Sequence, residues 1–342
     1  MLQTLIIGLG RAGAGLHLPV LDRLRSDEDN GKVFADHPIV VCDPVQSSTQ
    51  GYRSAIALKS IVDCPRFTDP SDTVVHLCTP PAGRVGLIAE LARLGFRRII
   101  VEKPLVNRID ELDTIVGLKA RYGLDIVVVA HWLCAELTHR LVDITNKGGL
   151  GTLREITVSQ HKSRFSRSIS TSGHITAFDV EIPHAIGVVL RLAGPAQLVS
   201  AECTAMSCDD LELPGLGGAR LTLRHAGGVR SRLHSDLMSP VRVRRLTLRF
   251  EWGVVVGHYP VSADDDFARL RVIADGLREH RVFRDNALEA FLLDSYRYFT
   301  GAGPAPDAGF DFQTGAAWLL LTAKADSGAV RSHDELVRDR AG

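Results

Sequence analysis

The chain has 342 residues, of which 45% are hydrophobic and 23% charged, the balance of a globular protein and not of a disordered or fibrous one. Forty basic residues offset forty acidic ones, so the formal net charge is zero. No global field therefore favours nucleic acid or an anionic membrane, and the longest apolar runs, such as residues 126–130, are strand-length and far short of a membrane span.

The length suits two domains. Residues 1–10 lack the basic segment of a signal peptide and run straight into a glycine motif, which makes a cytoplasmic protein the expectation. Cys42, Cys64, Cys78, Cys134, Cys203 and Cys208 are scattered, with no Cys-x-x-Cys or Cys-His cluster. They read as reduced thiols, with neither a disulfide framework nor a metal site expected.

Leu5-Ile6-Ile7 is a short apolar strand, and Gly8-Leu9-Gly10-Arg11-Ala12-Gly13 follows it directly, ahead of a helix through His17-Leu18-Pro19-Val20-Leu21. Strand, glycine turn and helix in this order form a dinucleotide fingerprint. Gly8 allows the tight turn, Gly10 lets a pyrophosphate approach the backbone, and Gly13 lets helix and strand pack closely. The free amides around Arg11 and Ala12, at the helix start, then face the phosphates.

A second strand, Ile39-Val40-Val41-Cys42, ends at Asp43, thirty residues past Gly13. About 20 is usual; the polar stretch Ser26-Asp27-Glu28-Asp29-Asn30-Gly31 reads as a loop insertion that accounts for the excess. A carboxylate there accepts from both ribose hydroxyls and repels a 2′-phosphate. With no Arg or Lys until Arg53, NAD is expected in preference to NADP. The plainer alternative is an Asp opening an Asp-Pro turn.

Residues 73–78 read as a strand ending in Thr79-Pro80-Pro81, whose prolines turn the chain outward across the cofactor. A helix over 85–94, capped by Gly95, leads to Ile99-Ile100-Val101-Glu102-Lys103-Pro104. There β-branched residues end a buried strand in a charged pair and a proline. A lysine fixed at such a strand end can polarise a hydroxyl or carbonyl and exchange a proton with it. A helix over 110–122 and a strand over 126–130 complete an alternating β/α series.

Gly8-x-Gly10-x-x-Gly13, Asp43, Thr79-Pro80-Pro81 and Glu102-Lys103-Pro104 resemble, in order and spacing, the glucose–fructose oxidoreductase / inositol dehydrogenase / MocA (Gfo/Idh/MocA) family. The resemblance implies an α/β fold in two parts. Residues 1–130 form an N-terminal Rossmann domain with a parallel sheet. Residues 131–342 form a C-terminal substrate-binding and dimerisation domain on a large, open, mostly antiparallel sheet, with the last helix expected to pack back on the first domain. Covering the open sheet face calls for a homodimer or homotetramer.

Past His131-Trp132 come a helix over 136–147, a glycine turn at 148–153 and a strand over 154–162. Residues 163–173 carry too little apolar content for an element and read as a long loop facing either a polyhydroxylated substrate or solvent. Phe178-Asp179-Val180-Glu181-Ile182-Pro183-His184 resembles the family's active-site helix, in which an acid precedes a histidine by four positions. Here that position is Val180, flanked by Asp179 and Glu181. At about 100° per residue Glu181 lies about 60° from His184 and Asp179 about 140° away, so Glu181 is the preferred substitute and Asp179 the second choice. Pro183 complicates this, because proline prefers a first turn and Glu181 then precedes the helix.

Lys103 and His184 are the candidate proton-transfer residues, since lysine desolvated near cofactor cations and histidine at its ordinary pKa both serve near neutral pH. In the family these two positions share that role, and the acid binds substrate hydroxyls. His131, Trp132, His161, Arg164 and His174 are candidate substrate contacts. Strands are expected over 196–206, 218–225, 229–237, 241–250 and 254–259, with closing helices over 286–299 and 314–325. Arg220, Arg224, Arg230, Arg232, Arg242, Arg244, Arg245 and Arg249 crowd these strands, either as a solvated face or as a site for a substrate phosphate or diphosphate.

The expected activity is hydride transfer between a nicotinamide and a secondary alcohol or ketone of a sugar, cyclitol or nucleotide-sugar. Two alternatives keep the fold: an NADPH-dependent imine or carbonyl reductase, and an NAD-binding regulator without catalysis.

Overall fold

Runs of buried β-branched residues build the first sheet. In the computed structural model, which describes residues 1–45, 55–170, 174–262 and 265–328, the strands are β1 (Gln3–Ile7), β2 (Ile39–Cys42), β3 (Ala55–Leu58), β4 (Thr73–Leu77), β5 (Arg98–Val101) and β6 (Asp125–Val128). All pair in parallel, in the order β3-β2-β1-β4-β5-β6. Leu5, Val40, Val41, Val74, Val75, Ile99 and Ile100 are wholly buried. A parallel sheet covered on both faces needs such unbroken apolar strands. Arg53 and residues 171–173 lie outside the described residues.

Gly13–His17 form a wide π-type turn, closed by Leu18 N–H on the Gly13 carbonyl, and α1 (Leu18–Ser26) continues from it. Helices α2 (Arg84–Arg93) and α3 (Ile109–Tyr122) link β4 to β5 and β5 to β6. Gly123, in the left-handed region, ends α3. Each fully buried Leu, Ile or Val contributes about 1.5–3 kcal/mol relative to exposure.

The second sheet follows α4 (Glu136–Lys147) and comprises β7 (Leu153–His161) and, after α5 (Phe165–Ser170) and α6 (Ile182–Ala193), β8 (Ala196–Cys208), β9 (Leu211–His225) and β10 (Arg230–Asp236). It continues through β11 (Val243–Phe250), β12 (Gly253–His258), β13 (Phe267–Ala274) and β14 (Leu277–Arg284). The order is β14-β13-β12-β11-β7-β10-β9-β8. Only the β7–β10 pair is parallel. The expected fold class is therefore observed. The stretch expected as a long loop at 163–173 contains α5, and β3, β13 and β14 add strands that the sequence reading did not separate.

Helix α7 (Ala287–Phe299) buries Phe291, Leu292, Tyr296 and Phe299, and α8 (Phe310–Asp326) closes the described chain. The chain divides into two units. The first is Met1–Cys134 with Ala287–Gly315, and the second is Ala135–Asn286 with Ala316–Gly342. Within the first, α7 packs on α1 and on the turn His131–Cys134, which places Trp132 in the core at 2% exposure. All six cysteines are free thiols. No helix among the described residues is long and apolar enough to cross a membrane.

Candidate active site

Strand order reverses between β1 and β4, so the carboxyl ends of β1, β4 and β5 lie side by side. The glycine turn leaves β1 with Gly8 at φ 91°, a conformation that favours glycine. A Cβ on Gly13 would sit 2.0 Å from the Gly8 carbonyl oxygen, so only glycine lets helix and strand approach this closely. At Gly10 a Cβ would meet nothing within 4 Å among the described residues. The turn therefore offers an open backbone surface followed by helix-start amides, and Arg11 beside it is exposed. Those features fit a dinucleotide pyrophosphate.

Asp43 ties itself to this turn. Its Oδ2 accepts from Leu9 N–H at 2.7 Å, and Oδ1 accepts from Val45 N–H at 2.9 Å. The second bond is the Asp-turn of the plainer reading; the first sets the carboxylate against the glycine loop.

Lys103 begins the turn after β5, and the peptide linking it to Pro104 is cis. Arg84, on α2 and 1% exposed, fixes this turn from behind. Its Nη1 donates to the carbonyls of Glu102 at 2.6 Å and Leu105 at 3.0 Å, and also to Pro104. Nη2 donates to the carbonyl of Thr79, the residue before the exposed Pro80. One planar fork thus ties the loop after β4 to the loop after β5. Burial pulls Arg84 down to about 10, well above neutral, so its charge persists.

Glu102 is itself held. His17 Nε2 lies 3.0 Å from its Oε1, and its Oε2 accepts from Lys103 N–H at 3.2 Å. Burial opposes ionisation of Glu102, but His17, then Lys103 and His131, overcome it and keep the carboxyl below its usual value.

The second unit carries its own polar cluster. Glu181 is the residue before α6, with its side chain 7% exposed, and His184 occupies the first turn with its N–H on the Glu181 carbonyl. Glu181 Oε1 is ion-paired with Lys162, just past β7, and Arg244 Nε lies 3.7 Å from Oε2. Asp179 lies in a separate 3-10 turn, Ala177–Asp179. Its Oδ2 accepts from Thr176 N–H and Oγ1, and its Oδ1 pairs with Lys324 at 2.8 Å. Helical projection therefore does not compare the two acids, because neither lies inside α6. Val180 is buried.

His161 pairs with His234 at 3.3 Å. By strand alternation it lies on the sheet face opposite Gln160, and so away from the Glu181–Lys162 pair. Arg164 is buried, with Nη1 on Ser168 Oγ at 3.0 Å. His131 and His174 are half-buried. Of the eight sheet arginines, Arg220, Arg224, Arg230, Arg232, Arg242, Arg245 and Arg249 are exposed, while Arg244 turns towards Glu181. Gln160 and Ser235 face each other in register across β7 and β10, both buried. Neither side chain makes a hydrogen bond among the described residues.

The sequence reading did not assign roles to Arg84, His17 or Lys162. The only signal for Arg84 was its place five residues after Thr79; nothing local marked Lys162.

No protein-family model matches the sequence, and no curated protein matches it. Solved structures do resemble it. KijD10, a 3-ketoreductase from Actinomadura kijaniata in complex with NADP and TDP-benzene, superposes with a TM-score of 0.76 at 13% identity, over 95% of this chain and 97% of that one. UDP-N-acetylglucosamine 3-dehydrogenase GnnA from Acidithiobacillus ferrooxidans gives 0.72 at 15% identity, over 96% and 97%. Both likenesses run along nearly the whole chain, and at these identities they establish a shared fold.

Proposed function

We propose that this chain is a nicotinamide-dependent oxidoreductase of the Gfo/Idh/MocA kind, interconverting a secondary hydroxyl and a ketone on a sugar, cyclitol or nucleotide-sugar. One observation carries the reading. The glycine turn, the Thr79 loop and the Glu102–Lys103 corner occupy the ends of three neighbouring parallel strands, the position at which such sheets bind dinucleotides. Similarity in fold to a ketoreductase and a sugar-nucleotide dehydrogenase supports the same class.

A bound nicotinamide supplies the hydride acceptor or donor. The chain's own residues bind, orient and move one proton. The Lys103 amine takes the hydroxyl proton during oxidation and returns it during reduction, with His184 as the second proton-transfer group. Glu181, ion-paired with Lys162 and close to Arg244, accepts hydrogen bonds from substrate hydroxyls. Asp43 favours NAD, whereas the similar ketoreductase structure holds NADP. Titrating both cofactors decides, and tighter NADP removes Asp43 from the ribose. On the same reading the exposed face of the second sheet pairs with another copy, which sedimentation tests.

The decisive assay combines the protein with NAD or NADP and a panel of sugars, cyclitols and nucleotide-sugars, following nicotinamide absorbance. Turnover that falls by about 100-fold or more in Lys103→Ala and in His184→Ala supports the oxidoreductase. Cofactor binding without turnover on any alcohol, ketone or imine points to the regulator instead.

A further inference from the structure

A string of hydrogen bonds crosses the core of the first unit and ends on Glu102. His17 Nε2 is 3.0 Å from Glu102 Oε1, and His17 Nδ1 is 2.9 Å from His76 Nδ1. His76 Nε2 is 3.1 Å from the Tyr296 hydroxyl, which is 2.6 Å from Thr4 Oγ1. The members come from the turn before α1, from β4, from α7 and from β1. His17, His76 and Tyr296 are wholly buried and Thr4 is 3% exposed, so the string has no outlet to water at that end. An unsatisfied polar group in a core is costly, and here each member of the string has a partner.

We propose that His17 is a positioning residue for Lys103: by holding one oxygen of Glu102 it turns the other towards residue 103, and so sets how readily the Lys103 amine gives up its proton. This rests on the reading of Lys103 as a proton-transfer group. Glu102 lies directly against residue 103: its Oε2 accepts from the main-chain N–H of Lys103 at 3.2 Å, and the charge of the Lys103 side chain is among those acting on the carboxylate.

The surrounding charges agree on the sign. Burial pulls His17 down, but Cys78 and Glu102 outweigh it and hold the imidazole up at about 10. His76 is driven well below its usual value by burial and then by His17, so it stays neutral. Both N–H groups of the imidazolium then donate, one to Glu102 and one to His76. His76 passes its remaining N–H to Tyr296, whose hydroxyl donates to Thr4. From the other side, His131 and Lys103 bear on Glu102, and the Arg84 guanidinium grips its carbonyl with Glu111 of α3 acting on Arg84 in turn. Thr4 is a buried terminus, so the string is a fixed internal charge and not a path for protons. Removing the cation leaves the Glu102 carboxylate to bear on Lys103.

Reductive methylation with 13C-formaldehyde gives each lysine a dimethylamine whose NMR shift follows its protonation, and Lys103→Arg identifies the signal of residue 103. In His17→Asn the Lys103 midpoint is expected to rise by about 1 pH unit. An unchanged or lowered midpoint in a folded variant overturns the proposal. Should His17→Asn fail to fold, the ring 15N shifts of the wild-type protein at pH 8 decide: an imidazolium at His17 supports it and a neutral ring overturns it. Neither measurement needs a substrate. A panel without turnover would thus defeat the oxidoreductase reading while leaving this result standing.

Discussion

Arg84 donates to the backbone carbonyl of Glu102 at 2.6 Å, across eighteen residues of chain. The same guanidinium reaches Thr79, Pro104 and Leu105. Arg84→Met leaves these carbonyls without their donor, and the unfolding free energy is expected to drop by about 3 kcal/mol in urea titrations. Arg84→Lys recovers little, because an ammonium lacks the planar fork. Dinucleotide affinity, read by fluorescence, falls in both variants.

Gly10 and Gly13 separate folding from cofactor binding. Gly13→Ala drives a Cβ into the Gly8 carbonyl and lowers thermal stability and dinucleotide affinity together. Gly10→Ala adds its Cβ to open space. It should melt like the wild type yet bind NAD or NADP at least about tenfold more weakly. Equal melting of the two variants would contradict the close helix–strand approach.

Asp179 and Glu181 should fail differently. The Asp179–Lys324 pair is buried on both sides, so Asp179→Ala strands an ammonium and costs about 3–5 kcal/mol of stability. Glu181→Gln keeps the shape at the start of α6 and is expected to lower turnover more than stability. Calorimetry and the absorbance assay, run on both variants, tell them apart. A crippled but stable Asp179→Ala beside a normal Glu181→Gln would reverse the assignment.

Alkaline pH probes His17. Its imidazole is raised from 6.5 to about 10 on folding, so the folded chain holds this proton more tightly than the unfolded one. The stabilisation is complete below 6.5 and is lost as pH rises through 10. Across this window roughly 5 kcal/mol of stabilisation is lost, and His17→Asn should flatten that part of the stability profile.

Among the described residues, Gln160 and Ser235 keep buried polar atoms without hydrogen-bond partners. Replacing both with apolar groups, Gln160→Met with Ser235→Ala, should raise the unfolding free energy by about 1 kcal/mol. A fall of that size would mean the two side chains share a bound water.

The first unit was legible because a covered parallel sheet writes itself as apolar runs broken by glycine and proline. Leu5-Ile6-Ile7 before Gly8, and Ile99-Ile100-Val101 before Glu102, mark both strand and exit. In the second unit the signal thins. β14 exposes most of its residues, so Arg278, Glu279, Arg281 and Arg284 leave no buried face to read. α5 has too few apolar residues to announce itself. The Glu181 cluster was half visible: the acid and His184 stand near each other in sequence, but Lys162 and Arg244 arrive from strands on either side of a sheet pairing. Arg84 was hidden for a different reason, since a buried arginine contradicts the usual preference of its type.

The wide turn at Gly13–His17 has an effect on everything downstream of it. Holding one residue more than an α-helical turn, it acts as a phase shifter between the glycine fingerprint and α1. Shorten it by one and the motif would still scan as intact and the helix would still be amphipathic. Yet the barrel of α1 would be dialled round its axis, and the imidazole now aimed at Glu102 would point elsewhere.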